Sequence, residues 1–96
     1  MTKQFYVYIL AKERNGTFYT GFSSDLAVRV AKHKNETYDG YTKKYNVKKL
    51  VYYEIYGDAE TAIKREKLIK KWSRQIKMQA IEKQNPEWND LYDSLF

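Results

Sequence analysis

The segment Phe5-Tyr-Val-Tyr-Ile-Leu10 contains no charged residue, no Gly and no Pro, and five of its six side chains are β-branched or aromatic. Alternate residues of a strand point to opposite faces, and neither face of this run is built for water, so it reads as a strand buried on both sides. A chain of 96 residues has enough length for one compact domain around such a strand, and residues 1–96 are read as that single domain. The rest of the chain supplies the cover. Thr17-Phe-Tyr-Thr-Gly21 reads as a second strand, joined to the first through Asn15-Gly16, a hairpin signal that favours a two-residue loop. Ser23-Ser24-Asp25 offers an N-cap for a helix over about Leu26–Lys34. Asn35–Asn46 is a polar, basic loop. Lys49–Tyr56 is a third strand closed by Gly57, Asp58 caps a helix over about Ala59–Lys71, and Ser73 caps another that ends before Asn85-Pro86. The order ββαβαα gives an α/β (α+β) fold, a three-stranded and mainly antiparallel sheet with flanking helices.

Composition excludes several kinds of chemistry. The chain has no Cys, which removes disulfides, thiolate zinc sites and a cysteine nucleophile, and one His cannot build a site of several imidazoles. No apolar run reaches the length of a membrane span, and no secretory layout precedes Phe5, so the expected location is cytoplasmic, away from membranes. Lys and Arg number 18 against 12 acidic residues, for a net charge of +6. Arg29–Val51 holds seven basic residues against two acids, and Lys64–Lys77 holds seven against Glu66 alone. After Gln79 the sign reverses, with Glu82, Glu87, Asp90 and Asp93 against Lys83. A basic middle rich in tyrosine suits a phosphate backbone and stacked bases, although a solvated lysine surface shows the same balance.

Three groups of residues do not fit a simple core. In the second helix Ala59, Ala62, Ile63 and Ile69 fall on one arc when residues are stepped by about 100°. Glu66 sits in the middle of that arc, where an unpaired carboxylate is costly. It needs a metal, hydrogen bonds, or an ion pair with Lys70 at i+4. In the first helix Arg29 and His33 stand four residues apart beside the apolar side of Leu26, Ala27 and Val30. They can present a guanidinium and an imidazole to one cleft, or serve as ordinary boundary residues. In the first strand Tyr6, Tyr8 and Leu10 share a face, and Tyr19 joins Tyr8 on it if the hairpin loop has an even number of residues. Strand tyrosines are usually packing residues; together with Arg29, His33 and Glu66 they outline a site.

These residues and their spacing resemble the GIY-YIG nuclease family. Tyr6-Val7-Tyr8 stands for Gly-Ile-Tyr and Tyr19-Thr20-Gly21 for Tyr-Ile-Gly, with Arg29 and His33 at the family's spacings. Glu66, in Ala62-Ile-Lys-Arg-Glu66-Lys-Leu-Ile-Lys70, matches its metal-binding glutamate. The chain looks most like the small stand-alone, YhbQ-like branch, a likeness that extends through Tyr41-Thr-Lys-Lys44, Leu50-Val-Tyr-Tyr-Glu54, Lys71-Trp-Ser73 and Asn85-Pro-Glu-Trp88. The resemblance implies a metal-dependent endonuclease that hydrolyses phosphodiester bonds with Mg²⁺ or Mn²⁺ held by Glu66. In that scheme Arg29 neutralises a non-bridging oxygen, and Tyr8 and Tyr19 position or deprotonate the attacking water. A phenol of ordinary pKa, about 10, needs a proton acceptor for this, and His33 is the obvious one.

Departures from the family pattern sharpen the expectation. Tyr6 replaces the motif's Gly and Thr20 its Ile. Phe22 follows Gly21 where several relatives carry a Lys that helps activate the tyrosine, leaving His33, Lys43 and Lys44 as candidate bases. Met78 stands where the family has a phosphate-contacting Asn. The expected nucleic-acid surface is Lys32, Lys34, Lys43, Lys44, Lys64, Lys67, Lys71 and Arg74. Contacts of this type carry little sequence information, so the expected substrate is DNA chosen by structure, in repair or recombination, with a protein partner as another source of specificity. The alternatives are a non-catalytic nucleic-acid-binding module and an adaptor acting through the acidic, aromatic tail Trp88–Phe96. Oligomeric state is left open.

Overall fold

Strands β1 (Phe5–Ala11), β2 (Phe18–Ser23) and β3 (Lys49–Tyr56) form one sheet in the order β2-β1-β3, with β1 antiparallel to both neighbours. The computed structural model describes residues 3–13, 16–35 and 46–96. Three helices complete the expected order among them: α1 (Leu26–Lys34), α2 (Ala59–Lys70) and α3 (Arg74–Gln84). Each starts at the cap that the sequence offers. Asp25 accepts from the Val28 amide at 3.2 Å, Asp58 from the Thr61 amide at 2.8 Å and Ser73 from the Ile76 amide at 3.2 Å.

The central strand separates two apolar clusters. Val7, Ile9 and Ala11 face α2 and α3 and pack with Val51, Ala62, Ile69, Ile81 and Trp88. Tyr8 and Leu10 face the other way and pack with Leu26, Val30, Val47 and Leu50. Residues 7–11 are all inaccessible to solvent, as the sequence of β1 demands. A bulge in β3 serves both clusters: Ile9 pairs with Tyr52 and Leu10 with Leu50, so Val51 is an extra residue. Val51 and Tyr52 thereby enter the same cluster while Leu50 stays in the other.

The hairpin departs from expectation in one respect. Lys12 N–H donates to Thr17 O at 3.1 Å and Gly16 N–H to Glu13 O at 2.9 Å, so the loop is residues 13–16, four residues rather than two. Four is still even, and Tyr8 pairs with Gly21 and Leu10 with Tyr19, which keeps Tyr19 on the Tyr8 face.

A part-buried ion pair fastens α2 to the sheet. Arg65 Nε and Nη2 donate to the two oxygens of Glu54 at 2.8 and 3.0 Å, Tyr56 donates at 2.6 Å, and Tyr52 donates as well. The Arg65 guanidinium also lies over the Trp72 ring, 4.9 Å from its centroid. Burial alone would raise the Glu54 pKa, but donation from Arg65 and the two tyrosines holds the carboxyl below its ordinary value. The same carboxylate and the burial push the Tyr52 phenol upward. Ile63, placed on the apolar arc by helical spacing, is instead exposed, because the inward side of α2 centres on Ala62 and Ile69.

Both edges of a three-stranded sheet are open to pairing, and the C-terminal residues close much of the β3 edge. Gln84 accepts from Tyr53 N–H at 3.1 Å and donates to Tyr53 O at 2.9 Å, as a neighbouring strand would. Asp90 accepts from Leu50 N–H at 3.2 Å, and Asn85 donates to Val51 O at 3.1 Å. Asn85 is buried and also braces its own loop, donating to Asn89 O at 2.8 Å and accepting from Asn89 N–H at 3.1 Å. It is therefore a structural residue. A 3-10 turn at Leu91–Leu95, not anticipated from the sequence, packs Leu91, Tyr92 and Leu95 against the Tyr8 cluster. The tail proposed for an adaptor is thus folded onto its own domain, with Trp88 buried and Phe96 exposed.

Thr20 faces the α2 side of the sheet, and its buried hydroxyl has no hydrogen-bond partner among the described residues. Thr20→Val keeps the shape and removes the stranded group. It should raise unfolding free energy by roughly 1 kcal/mol, measured by urea denaturation.

Candidate active site

Tyr8, Tyr19 and His33 meet on the face of the sheet covered by α1. Tyr8 Oη and His33 Nε2 are 3.3 Å apart in a buried hydrogen bond. The Tyr19 ring centroid lies 6.3 Å from that of Tyr8 and 5.4 Å from that of His33. His33 is only 5% exposed, so it is a core-facing residue rather than a boundary one. Arg29, one turn earlier on α1, is half-buried and adds its charge to the imidazole's surroundings.

Gly21 explains how Tyr8 fits. It pairs directly with Tyr8 across β1 and β2, and a Cβ at this position would lie 2.5 Å from the Tyr8 hydroxyl oxygen. The phenol occupies the space that any other residue would fill with a side chain. The sequence singled out Gly21 only as part of a motif; its function here is to seat the Tyr8 hydroxyl beside His33.

Burial holds the His33 pKa below the ordinary 6.5, and the Arg29 guanidinium lowers it further. These effects outweigh the favourable position of a cation in the last turn of α1. At neutral pH the ring is therefore uncharged, and in the Nδ1–H tautomer its Nε2 accepts the Tyr8 hydroxyl proton.

Glu66 belongs to the other layer. It lies on α2, whose buried Ala62 and Ile69 join the Val7–Ile9 cluster, and its carboxylate is 3.5 Å from Lys70 Nζ. The ion pair suggested by helical spacing is thus present. With its side chain 18% exposed the carboxylate still reaches solvent. Among the described residues no three His, Asp or Glu gather as a metal cage. Phe22 pairs with Val7 and stacks on Phe5 with 6.1 Å between centroids, so position 22 points to the face opposite Tyr8.

The expected nucleic-acid residues divide. Lys32, Lys64, Lys67 and Lys71 are exposed, Lys64 lying 3.2 Å from Glu60. Lys34 is drawn to Asp90 and lies over Tyr92, 5.3 Å from the ring centroid. Arg74 donates to Gly16 O and stacks 4.2 Å from the Phe18 ring centroid. Lys43 and Lys44 lie outside the described residues.

Comparison with known proteins covers most of the chain. Residues 4–80 match the GIY-YIG catalytic domain. A UPF0213 protein of Staphylococcus epidermidis is 43% identical over 82 residues, spanning 85% of this chain and 98% of its own. One from Staphylococcus saprophyticus is 41% identical over 76 residues, 79% of this chain and 92% of the relative. The solution structure of a UPF0213 protein from Bacillus halodurans superposes with a TM-score of 0.56 at 30% identity, covering 91% and 92% of the two chains.

Two measurements check this geometry. The His33 NMR titration should have a midpoint below 6.5, and Arg29→Gln should move it part of the way back. Because the unfolded chain takes up this proton near 6.5 and the folded chain resists, the stability tied to neutral His33 is complete above 6.5. It falls as pH drops from 6.5 through the lower folded value. Gly21→Ala should displace the Tyr8 ring, costing about 1–3 kcal/mol in urea denaturation and perturbing the His33 titration.

Proposed function

The chain belongs to the GIY-YIG family, in its UPF0213, YhbQ-like branch, and from that membership we propose a metal-dependent endonuclease that cleaves DNA by structure rather than sequence. The family is one of phosphodiester hydrolases that act on nucleic acid. The observation that best supports catalysis in this chain is the buried hydrogen bond between Tyr8 and His33, with Tyr19 beside it. A packing tyrosine does not need a neutral imidazole at its hydroxyl, whereas a tyrosine that must give up its proton does.

In the proposed mechanism His33 accepts the Tyr8 hydroxyl proton at Nε2 and the Tyr8 oxygen takes a proton from the attacking water, a step that requires bound substrate to open the site, since Tyr8 is inaccessible to solvent in this structure. Tyr19 orients that water. Arg29 pairs with a non-bridging phosphate oxygen as charge builds there. The donor set fits a divalent cation of the Mg²⁺ or Mn²⁺ type. Glu66 supplies one solvent-reaching carboxylate and no cage of His, Asp or Glu surrounds it among the described residues, which suits an ion that keeps much of its water. When bound, that ion would stabilise charge on the phosphate and the leaving oxygen. For Glu66 to serve as its ligand, the i,i+4 pair with the half-exposed Lys70 must open.

In this reading residues 1–96 act as a single nuclease-like domain. Lys32, Lys64, Lys67 and Lys71 contact phosphates, with Lys43 and Lys44 retained as candidates. The setting is DNA repair or recombination in the cytoplasm, with a protein partner able to direct the cut. No helix among the described residues is long and apolar enough to cross a membrane.

Labelled single-stranded, duplex and branched DNA incubated with Mg²⁺ or Mn²⁺ should give products that disappear with EDTA and in Glu66→Ala. The rate should fall in acid as His33 protonates below 6.5, and Tyr8→Phe should lose at least about a hundredfold in rate. Equal inertness of wild type and Glu66→Ala, with both still binding DNA, would instead make the protein a binding module.

A further inference from the structure

Between β3, α2 and α3 lies a cavity of about 400 Å³, lined by Tyr52, Arg65, Trp72, Ala80, Lys83 and Gln84. A space of this size is large enough for a small ligand. It is separate from the Tyr8–His33 site. Tyr52 belongs to the Val7–Ile9 cluster, and Trp72 and Ala80 pack against it, whereas Tyr8 belongs to the cluster on the other side of the sheet.

The lining combines a flat aromatic wall with cationic donors. Trp72 is half-buried, so part of its ring faces the cavity. Ala80, Lys83 and Gln84 stand at i, i+3 and i+4 and share one face of α3. Gln84 is committed to the Tyr53 backbone. Ala80 fills little of the space in front of it, and Lys83 is exposed, with no acidic partner among the described residues. No acidic side chain lines the cavity.

Arg65 is a donor already fixed in place. Glu54 takes its Nε and Nη2 hydrogens at 2.8 and 3.0 Å, and the guanidinium carbon lies 4.9 Å from the Trp72 ring centroid. Nη1 makes no hydrogen bond among the described residues, so its hydrogens are left for another acceptor. Glu54 neutralises the Arg65 charge, and Lys83 supplies the net positive charge of the cavity. Because Arg65 is held before anything binds, its donation costs little ordering entropy.

We propose that this cavity binds one nucleotide unit, its base against Trp72 and its phosphate between Arg65 Nη1 and Lys83 Nζ. A flat wall favours a flat ring, donors without an opposing acid favour an anion, and the volume admits both together. A free mononucleotide and an unstacked nucleotide within a single strand share this chemistry. The choice of a nucleotide over other flat anions rests on the nucleic-acid reading above; nothing in it depends on cleavage.

The chain has two tryptophans and therefore two indole N–H signals in an NMR spectrum. Trp88, 3% exposed and donating to Glu82 at 3.1 Å, is the internal control. Thymidine 5′-monophosphate, titrated without divalent metal, should shift the Trp72 signal and leave that of Trp88 nearly still. Thymidine lacks the anion and inorganic phosphate lacks the ring, so each should need at least about tenfold higher concentration. An oligothymidylate that binds more than about tenfold tighter than the mononucleotide assigns the site to a strand, and a smaller gain assigns it to the free nucleotide. Lys83→Met should weaken mononucleotide binding about tenfold and Lys83→Arg should restore it. Ala80→Leu keeps every charge, fills the cavity and should abolish the Trp72 shift. Lys12→Met, exposed beside the hairpin loop, should stay within about twofold of wild type.

The proposal is overturned if the mononucleotide leaves the Trp72 signal unmoved, if phosphate alone binds as tightly, or if Lys83→Met and Ala80→Leu bind like the wild type. Should Ala80→Leu fold poorly, Lys83→Met and the comparison of the three small probes decide. A wild type that cleaves DNA while the Trp72 signal ignores nucleotide removes this site and leaves the nuclease. A wild type that binds nucleotide through Lys83 and cleaves nothing removes the nuclease and leaves this site.

Discussion

The Glu54–Arg65 pair sets the rotation of α2 about its own axis, and the layout of the α2 side follows from that rotation. Glu54 is a carboxylate under a helix, a position that would be costly alone. Four donors from Arg65, Tyr52 and Tyr56 meet it, and Arg65 is backed by Trp72. With Arg65 committed to β3, the next residue lies about 100° further round the helix. That turn carries Glu66 away from Arg65 and round the helix, where its part-buried carboxylate meets Lys70. Adjacent residues of opposite charge thus do separate jobs, Arg65 holding the helix on the sheet and Glu66 pairing with Lys70 along the helix.

On the opposite face the organising fact is an absence of bulk. The aromatic alternation of β1 sends Tyr8 towards α1, and the register places it over Gly21. Only because that position has no side chain can the phenol lie flat enough to reach His33. His33 is in turn set by the Asp25 cap, which starts α1 and so determines which of its residues turn inward. A turn signal, a cap and a glycine, each local in sequence, together define the distance between two side chains 25 residues apart.

Much of this was legible in advance because it depends on local rules. The three caps, the strand buried on both faces and the even parity of the hairpin all follow from neighbouring residues. The Glu66–Lys70 pair was legible for the same reason. What escaped were contacts made by a side chain to a distant backbone. Gln84 on Tyr53, Asn85 on Val51 and Asp90 on Leu50 leave no periodic trace, and the short turn at Leu91–Leu95 has no repeat long enough to show one. Charge counting likewise treated Lys34 and Arg74 as surface cations, when tertiary contacts to Asp90, Tyr92 and Phe18 had already engaged them.

The closure of the β3 edge by side chains has a consequence for how this protein would fail. A true neighbouring strand is held by many hydrogen bonds at once, but Gln84 contributes two from the last residue of a helix, where fraying begins. Loss of one turn of α3 would bare the Tyr53 amide and carbonyl next to the half-exposed Ile55, with the sheet otherwise intact. Such a species is nearly native, costs little to reach and presents an adhesive strand. Heat or mild denaturant should therefore produce self-association before global unfolding, seeded by this one helix end.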